Sequence, residues 1–374
     1  MNELSHKSVR TQTIDPIVFV PNSDLYEVTE APFLWNVNSV VLSEDKTTIA
    51  GWSLPHWGWV ENTHIVVNGR PFVPERLAPS GVYAELYPWH PNAALSAFTI
   101  DILHSEHDIR KEREITIESR AILNPLKERG YTLDLLLSDL SFAGPPPDVA
   151  ARIGAENLLH YVMFGRAIFR GFEKAMKKNF KKTFADFPTI LDWGCGSARV
   201  ARHVVADLGA NSTLVGFDID SFAVEWANVN VGPHFKACGA KPPLDQPANS
   251  VDLIYAYSVF SHLAEDNMTI WLAELARVLK PGGVGLFTVL SDNAMIALHA
   301  GMPRATLEAW REQGIYDSAQ NNQLESIGVS GDYYRNVWLT RSFIEKKLGD
   351  EFELVDFIGC FHFYQDLVVV RRRK

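Results

Sequence analysis

Ile190-Leu191-Asp192-Trp193-Gly194-Cys195-Gly196-Ser197-Ala198-Arg199 joins a short apolar run to a glycine turn. Asp192 ends the run. Gly194 and Gly196 leave the backbone bare, so a ligand can approach main-chain N–H groups without meeting a Cβ. The pattern then continues as a helix through Val200, Val204 and Val205. With Arg199 in the third-glycine place, the turn departs from the dinucleotide fingerprint. About 26 residues after Asp192, Val215-Gly216-Phe217-Asp218 brings a second carboxylate to a strand tip. An acid there can accept two hydrogen bonds from a vicinal diol such as a ribose, although Asp218 could also cap the next helix, a role for which Asp220 is better placed. His262 follows the fourth strand of this half, where substrate-facing groups gather in open α/β sheets; it is either a proton-moving group or a packing histidine. Asp292, His299 and His362 are weaker candidates for the same role. Arg199 and Arg202, three apart, suit either an anionic ligand or a solvated, salt-bridged face. Cys195 reads as a small packing residue of the glycine loop rather than a nucleophile. No metal-ligand spacing is evident.

The elements that must hold these groups follow from periodicity. Apolar runs at 189–192, 213–218, 251–256 and 284–289 alternate with helical stretches, the pattern of a parallel sheet buried on both faces. Met268, Trp271, Leu272, Leu275, Val278 and Leu279 mark one helix face, stopped by Lys280-Pro281-Gly282-Gly283. Runs at 352–357 and 366–370 leave no room for a crossover and should pair antiparallel. Before residue 120 the pattern is different: short strands at 17–20, 39–42, 47–52, 64–67, 71–73, 97–102 and 114–118, with an Asn68-Gly69 hairpin, predict an antiparallel sandwich or small barrel. Gly144-Pro145-Pro146-Pro147 then punctuates the chain. A helix follows through Leu158 to Met176, with Gly165 read as a break. The expected organisation is a β-rich domain over 1–140, a helical connector over 141–187 and an α/β domain over 188–374. The 374 residues suit two domains. The net charge of −10 counts against nucleic acid as a partner, and no apolar segment reaches the ~18–20 residues of a membrane span. Three scattered cysteines support neither a disulfide framework nor a zinc site, so a soluble, cytoplasmic protein is expected.

In order and spacing, Leu191-Asp192-Trp193-Gly194-Cys195-Gly196, Gly216-Phe217-Asp218-Ile219-Asp220, Ser250-Val251-Asp252-Leu253-Ile254, Val259-Phe260-Ser261-His262-Leu263 and Leu275-Ala276-Arg277-Val278-Leu279-Lys280-Pro281-Gly282-Gly283 resemble the class I S-adenosylmethionine-dependent methyltransferases. The resemblance covers roughly half the chain; residues 1–140 carry none of it. It implies a seven-stranded Rossmann-like sheet with an antiparallel last strand, preceded here by the sandwich-like domain. It also implies S-adenosyl-L-methionine as cofactor. Gly194 and Gly196, with Cys195 between them, would pass beneath the methionine portion, and Asp192 would lie near its amino group. Asp218 would take the ribose and Ile219 would flank the adenine. Gly239 and Ala240 would line the adenine edge, where the acidic residue frequent in the family is absent. Tyr257 and Ser258 would meet the sulfonium end.

A methyl transfer to a hydroxyl gains from proton removal, and His262 is the first candidate base. The insertion at 291–338, with Met295, Met302, Trp310, Tyr316, Tyr333, Tyr334 and Trp338, is expected to wall the acceptor pocket. The five tryptophans of the first part, Trp35, Trp52, Trp57, Trp59 and Trp89, suit either a sugar-stacking platform or a core. The leading expectation is O-methylation of a glycan or small hydroxylated metabolite. A protein or nucleic-acid methyltransferase and a non-catalytic cofactor-binding scaffold stay open, as does a homo-oligomer. A nicotinamide dehydrogenase is disfavoured by Arg199.

Overall fold

The computed structural model describes residues 34–54, 63–87, 92–121, 132–155, 157–299 and 304–374. The expected strand at 17–20 and three tryptophans, Trp57, Trp59 and Trp89, lie outside them. β1 (Leu34–Leu42) and β2 (Lys46–Leu54) form a hairpin about Ser43, Glu44 and Asp45. β3 (Thr63–Val67) and β4 (Arg70–Phe72) turn at Asn68-Gly69, with φ of 48° and 78°, the left-handed pair that a tight hairpin needs. β5 (Glu75–Arg76) and α1 (Gly81–Leu86) lead to β6 (Ala97–Leu103), β7 (Glu114–Ala121) and β8 (Leu133–Leu136). The strands make two antiparallel four-stranded sheets, β1-β2-β6-β5 and β4-β3-β7-β8. Alternation sends Ile49, Phe98, Ile100, Ile115 and Ile117 inward, and all are buried, as a sandwich requires. Trp35 is one of the core residues.

After the prolines, α2 (Pro147–Arg152) is a short turn of helix, and α3 (Leu158–Phe180) runs unbroken for 23 residues. Asn157 caps α3 by accepting the His160 N–H at 2.9 Å. Gly165 therefore does not break the helix. A Cβ at that position would stand 2.1 Å from the carbonyl oxygen of Arg199, so the glycine allows two backbones to touch.

The second part is α/β: β9 (Thr189–Trp193), α4 (Ala201–Ala206), β10 (Thr213–Asp218), α5 (Ser221–Asn230), β11 (Phe235–Ala237), β12 (Val251–Ala256), α6 (Glu265–Val278) and β13 (Leu279–Leu290). Next come α7 (Asp292–His299), α8 (Arg304–Gln313), β14 (Ile315–Gln320), β15 (Arg335–Leu339), α9 (Arg341–Leu348), β16 (Phe352–His362) and β17 (Gln365–Arg372). The seven core strands lie in the order β11-β10-β9-β12-β13-β17-β16, parallel but for β17. The sheet has nine strands rather than seven, because the β14–β15 hairpin joins β13 through Leu290 and Trp338.

One cluster of buried side chains crosses the expected domain boundary. It runs from Trp35, Ile65 and Leu135 through Val162, Ile168 and Phe172 of α3 to Ile190 and Leu253. Polar ties follow the same path: Arg166 of α3 pairs with Glu114 of β7 at 2.7 Å, and Arg202 of α4 with Asp139 at 2.8 Å.

Candidate functional site

A cavity of about 610 Å³ opens at the carboxyl ends of β9, β10 and β12, the place where open α/β sheets bind ligands. The turn after β9 forms its floor. Gly194 and Gly196 stand at φ of 79° and 49°, and Gly194 and Cys195 both donate N–H to the Phe217 carbonyl, at 2.8 and 3.1 Å. Added Cβ atoms would lie 2.2 Å from Val259 at Gly194 and 3.1 Å from Ile153 at Gly196, so side chains there would fill the cradle.

Two carboxylates flank this turn. Asp218 accepts the Gly196 N–H at 2.6 Å on one oxygen and the Asp220 N–H at 2.8 Å on the other, and burial pushes its pKa up to about 6. The fully enclosed Asp192 accepts the Tyr255 hydroxyl at 2.8 Å; burial lifts it to about 8, with that hydrogen bond opposing. Asp220 is the cap of α5, accepting the Phe222 and Ala223 N–H groups, and its other oxygen takes the Arg152 guanidinium at 2.6 Å. Ser197, wholly buried on the floor, has a hydroxyl with no partner among the described residues. Bare backbone, two carboxylates and a hydroxyl without a partner among the described residues suit a ligand that brings an ammonium group, a diol and a carboxylate. S-adenosylmethionine carries all three.

Residues 190–283 match the model of a family described as a methyltransferase domain. Residues 190–283 thus carry a methyltransferase domain, on a Rossmann-like sheet of the class I S-adenosylmethionine-dependent fold. Over 122 residues it is 32% identical to a ribosomal protein L11 methyltransferase of Ralstonia nicotianae, a match to 32% of this chain and 39% of that protein. The chain thus spans well under half the length of that curated relative. Its structure is similar to a methyltransferase from Methanosarcina mazei (18% identity, 50% of this chain and 93% of that one, TM-score 0.38). It is also similar to the N-methyltransferase NodS of Bradyrhizobium japonicum in complex with S-adenosyl-l-homocysteine (12% identity, 55% and 86%, TM-score 0.34).

The methyltransferase domain brings Asp192, Gly194, Cys195, Gly196, Asp218, Ile219, Tyr257, Ser258 and His262 to one cavity. Gly239 and Ala240 are not part of its lining. That loop meets the cavity at Cys238, while the Ala240 carbonyl turns to the Trp271 indole N–H at 3.3 Å. Ser258 is held at φ 60° by the Thr288 hydroxyl, which accepts its N–H at 2.7 Å. His262 donates from Nδ1 to the Arg335 carbonyl at 2.8 Å and stacks on Tyr334 with ring centres 4.2 Å apart. Burial lowers its pKa to about 4. His362 bonds the Tyr257 hydroxyl at 2.8 Å, and burial lowers it to about 3. Asp292 lies off the cavity lining, and the side chain of His299 is outside the described set. Arg202 is salt-bridged, as noted; Arg199 faces the cavity.

The insertion at 291–338 differs from its expected role. Met295, Trp310 and Trp338 pack with Leu290 and Leu307 into a small core of their own, Trp310 donating to the Trp338 carbonyl at 3.2 Å. Of its described residues, Gln323, Leu324, Tyr333 and Tyr334 reach the cavity, and Met302 is outside the described residues. A further wall comes from the first part of the chain, with Asn36, Asn38, Trp52, Tyr83 and Tyr87, beside residues of α2, α3 and the β16–β17 turn. No spacing in the sequence links these residues to the glycine turn, since the link is the packing of one half on the other.

Proposed function

We propose that the protein transfers a methyl group from S-adenosylmethionine to a hydroxyl of a small, ring-bearing acceptor, a sugar unit of a glycan or a hydroxylated metabolite. The observation that carries this reading is the second wall of the cavity. Trp52 packs against Tyr83 and Tyr87 at 5.6 and 5.3 Å between ring centres, Asn38 donates to the Tyr83 hydroxyl, and Asn36 bonds His160. Aromatic faces beside amide groups suit a ring with hydroxyls, and an enclosure of this size suits a small molecule.

When bound, S-adenosylmethionine supplies a methyl group on a sulfonium, open to in-line displacement by an oxygen lone pair. On this reading Asp218 holds the ribose hydroxyls, Asp192 faces the ammonium group and the Gly194–Gly196 turn holds the methionine portion. Ile219 and Cys238 flank the base, and Tyr257 and Ser258 border the reacting end. His262 is the proton acceptor. A carbonyl cannot donate, so the bond to Arg335 fixes the proton on Nδ1 and leaves the Nε2 lone pair available. Its low pKa keeps it neutral at pH 7 and makes it a weak base, suited to passing a proton onward rather than storing it.

A protein acceptor is the second reading, favoured by the 32% identity to the ribosomal protein L11 methyltransferase. Three cysteines far apart in the sequence, with no paired spacing, support a cytoplasmic setting for either. The test is an acceptor screen with S-adenosylmethionine carrying a deuterated methyl group, offered to a small-molecule and glycan extract and to ribosomal protein in parallel. A mass gain confined to small molecules or glycans is the expected result. Label on protein alone would replace the first reading by the second, and cofactor binding with no label anywhere would leave a scaffold.

A further inference from the structure

Arg199 differs from the other arginines near the cavity. Arg152 pairs with Asp220, Arg166 with Glu114 and Arg202 with Asp139. Arg199 forms no ion pair among the described residues. Its guanidinium donates to the Ile153 carbonyl at 3.0 Å and lies over the Tyr257 ring, 5.5 Å from its centre. That accounts for one of five N–H donors and for one face of the plane. The side chain lines the cavity, and loss of solvent pushes its pKa down, so the charge is held at a cost with no protein anion to offset it. The surroundings are neutral: Tyr257 bonds His362, His362 packs edge-on against Phe363, and Phe363 joins the Trp52–Tyr87 cluster of the other half. Arg199 thus stands on the path from the cofactor cradle to the aromatic wall.

We infer that Arg199 is a specificity residue of the acceptor subsite and that the acceptor, besides its hydroxyl, carries a carboxylate that Arg199 takes through its remaining N–H donors. The inference rests on the methyl-transfer reading and narrows its substrate class to hydroxylated, ring-bearing acids. A planar fork facing open space is the geometry that a carboxylate fits with two parallel hydrogen bonds. Of the cavity's carboxylates, Asp220 is paired with Arg152, Asp218 is held by the Gly196 and Asp220 N–H groups, and burial raises the pKa of Asp192 to about 8, so each is offset within the cradle.

Benzoate and benzamide, equal in shape and different in charge, are the probes. Their affinities for the full chain are measured by calorimetry with and without S-adenosylhomocysteine, on the wild type and on Arg199→Gln. Benzoate is expected to bind the wild type at least tenfold more tightly than benzamide, the ratio falling to near one in Arg199→Gln while S-adenosylhomocysteine binds both proteins within threefold. A wild type that does not distinguish the probes overturns the inference. So does a variant that loses S-adenosylhomocysteine but keeps 5′-methylthioadenosine, which lacks the amino-acid portion, because the carboxylate on Arg199 would then be the cofactor's. If Arg199→Gln does not fold, Arg199→Lys, which keeps the charge and loses the planar fork, replaces it, and a ratio less than threefold below that of the wild type counts against the inference. Failure of the wild type to bind S-adenosylhomocysteine would sink the methyl-transfer reading instead, and the probe ratio without cofactor would still decide the role of Arg199.

Discussion

At the scale of single residues, the two carboxylates of the cradle respond to pH in different ways. Asp218 ionises near 6 in the free protein, and hydroxyl donors favour its ionised form. Cofactor affinity is therefore expected to weaken as pH falls through 6, and Asp218→Ala to lose ten- to hundredfold in affinity at pH 8, about 1.5–3 kcal/mol. Calorimetry across pH checks both; a flat profile in the wild type would remove Asp218 from the ribose. Asp192 has its pKa raised from 3.8 to about 8. A raised pKa means that the folded state holds the proton more tightly. The stability this brings is full below the unfolded value and is lost as pH rises through 8. Asn can still accept the Tyr255 hydroxyl, so Asp192→Asn without ligand is expected to melt above the wild type at pH 8, with the gap closing toward pH 4. A gap that does not change with pH would argue against a buried, protonated Asp192. Both acids were legible in the sequence, because each lies at a fixed offset from the glycine turn at a strand tip. The residue that meets the cavity after β11 was not: Cys238, Gly239 and Ala240 are neighbours in a loop, and which of them turns inward depends on Trp271 claiming the Ala240 carbonyl.

Among the elements, the parallel strands and α6 are where their periodicities put them, since an apolar run between helices has few other ways to bury both faces. Gly165 shows where such reading stops. A glycine in a helical pattern is the same letter whether it ends the helix or admits a neighbour, and the neighbour here is a carbonyl from the turn after β9. The two accounts differ in sign under substitution. In a free helix, Gly165→Ala would stabilise by about 0.5–1 kcal/mol. Against a backbone oxygen 2.1 Å from the new methyl it is expected to cost about 1–3 kcal/mol, because α3 or the Arg199 turn must move. Urea denaturation measures this, and a neutral or more stable variant would refute the close approach. The aromatic insertion teaches the same lesson from the other side. Its tryptophans were expected to wall the acceptor pocket, but composition does not tell a pocket wall from a private core, and Trp310 and Trp338 bury each other.

For the whole molecule, we propose that the chain divides after residue 140 into a β-rich part, with a helical connector to 187 and the methyltransferase domain from 188 onward. The change in periodicity and the proline run are what suggest it in the sequence. The way the parts pack was not legible there, because it depends on long-range pairing of apolar faces that no local pattern records. That packing makes the division one of chain rather than of core. α3 is buried along most of its length, with β1 and β8 against it, and Arg166 and Arg202 find their carboxylates in the first part. Two units sharing one buried helix should melt together, since losing either exposes the apolar surface of the other. The full chain is therefore expected to give one calorimetric transition, with calorimetric and van't Hoff enthalpies in agreement. A chain starting at Asp148 would keep every cofactor-facing carboxylate yet uncover α3. It is expected to bind a hydrophobic dye, to lose cooperative unfolding and to hold S-adenosylhomocysteine at least tenfold less tightly. Two separate transitions in the full chain, or a truncated chain that melts sharply and binds S-adenosylhomocysteine as the whole does, would show that the methyltransferase domain folds on its own and that the first part serves only the acceptor.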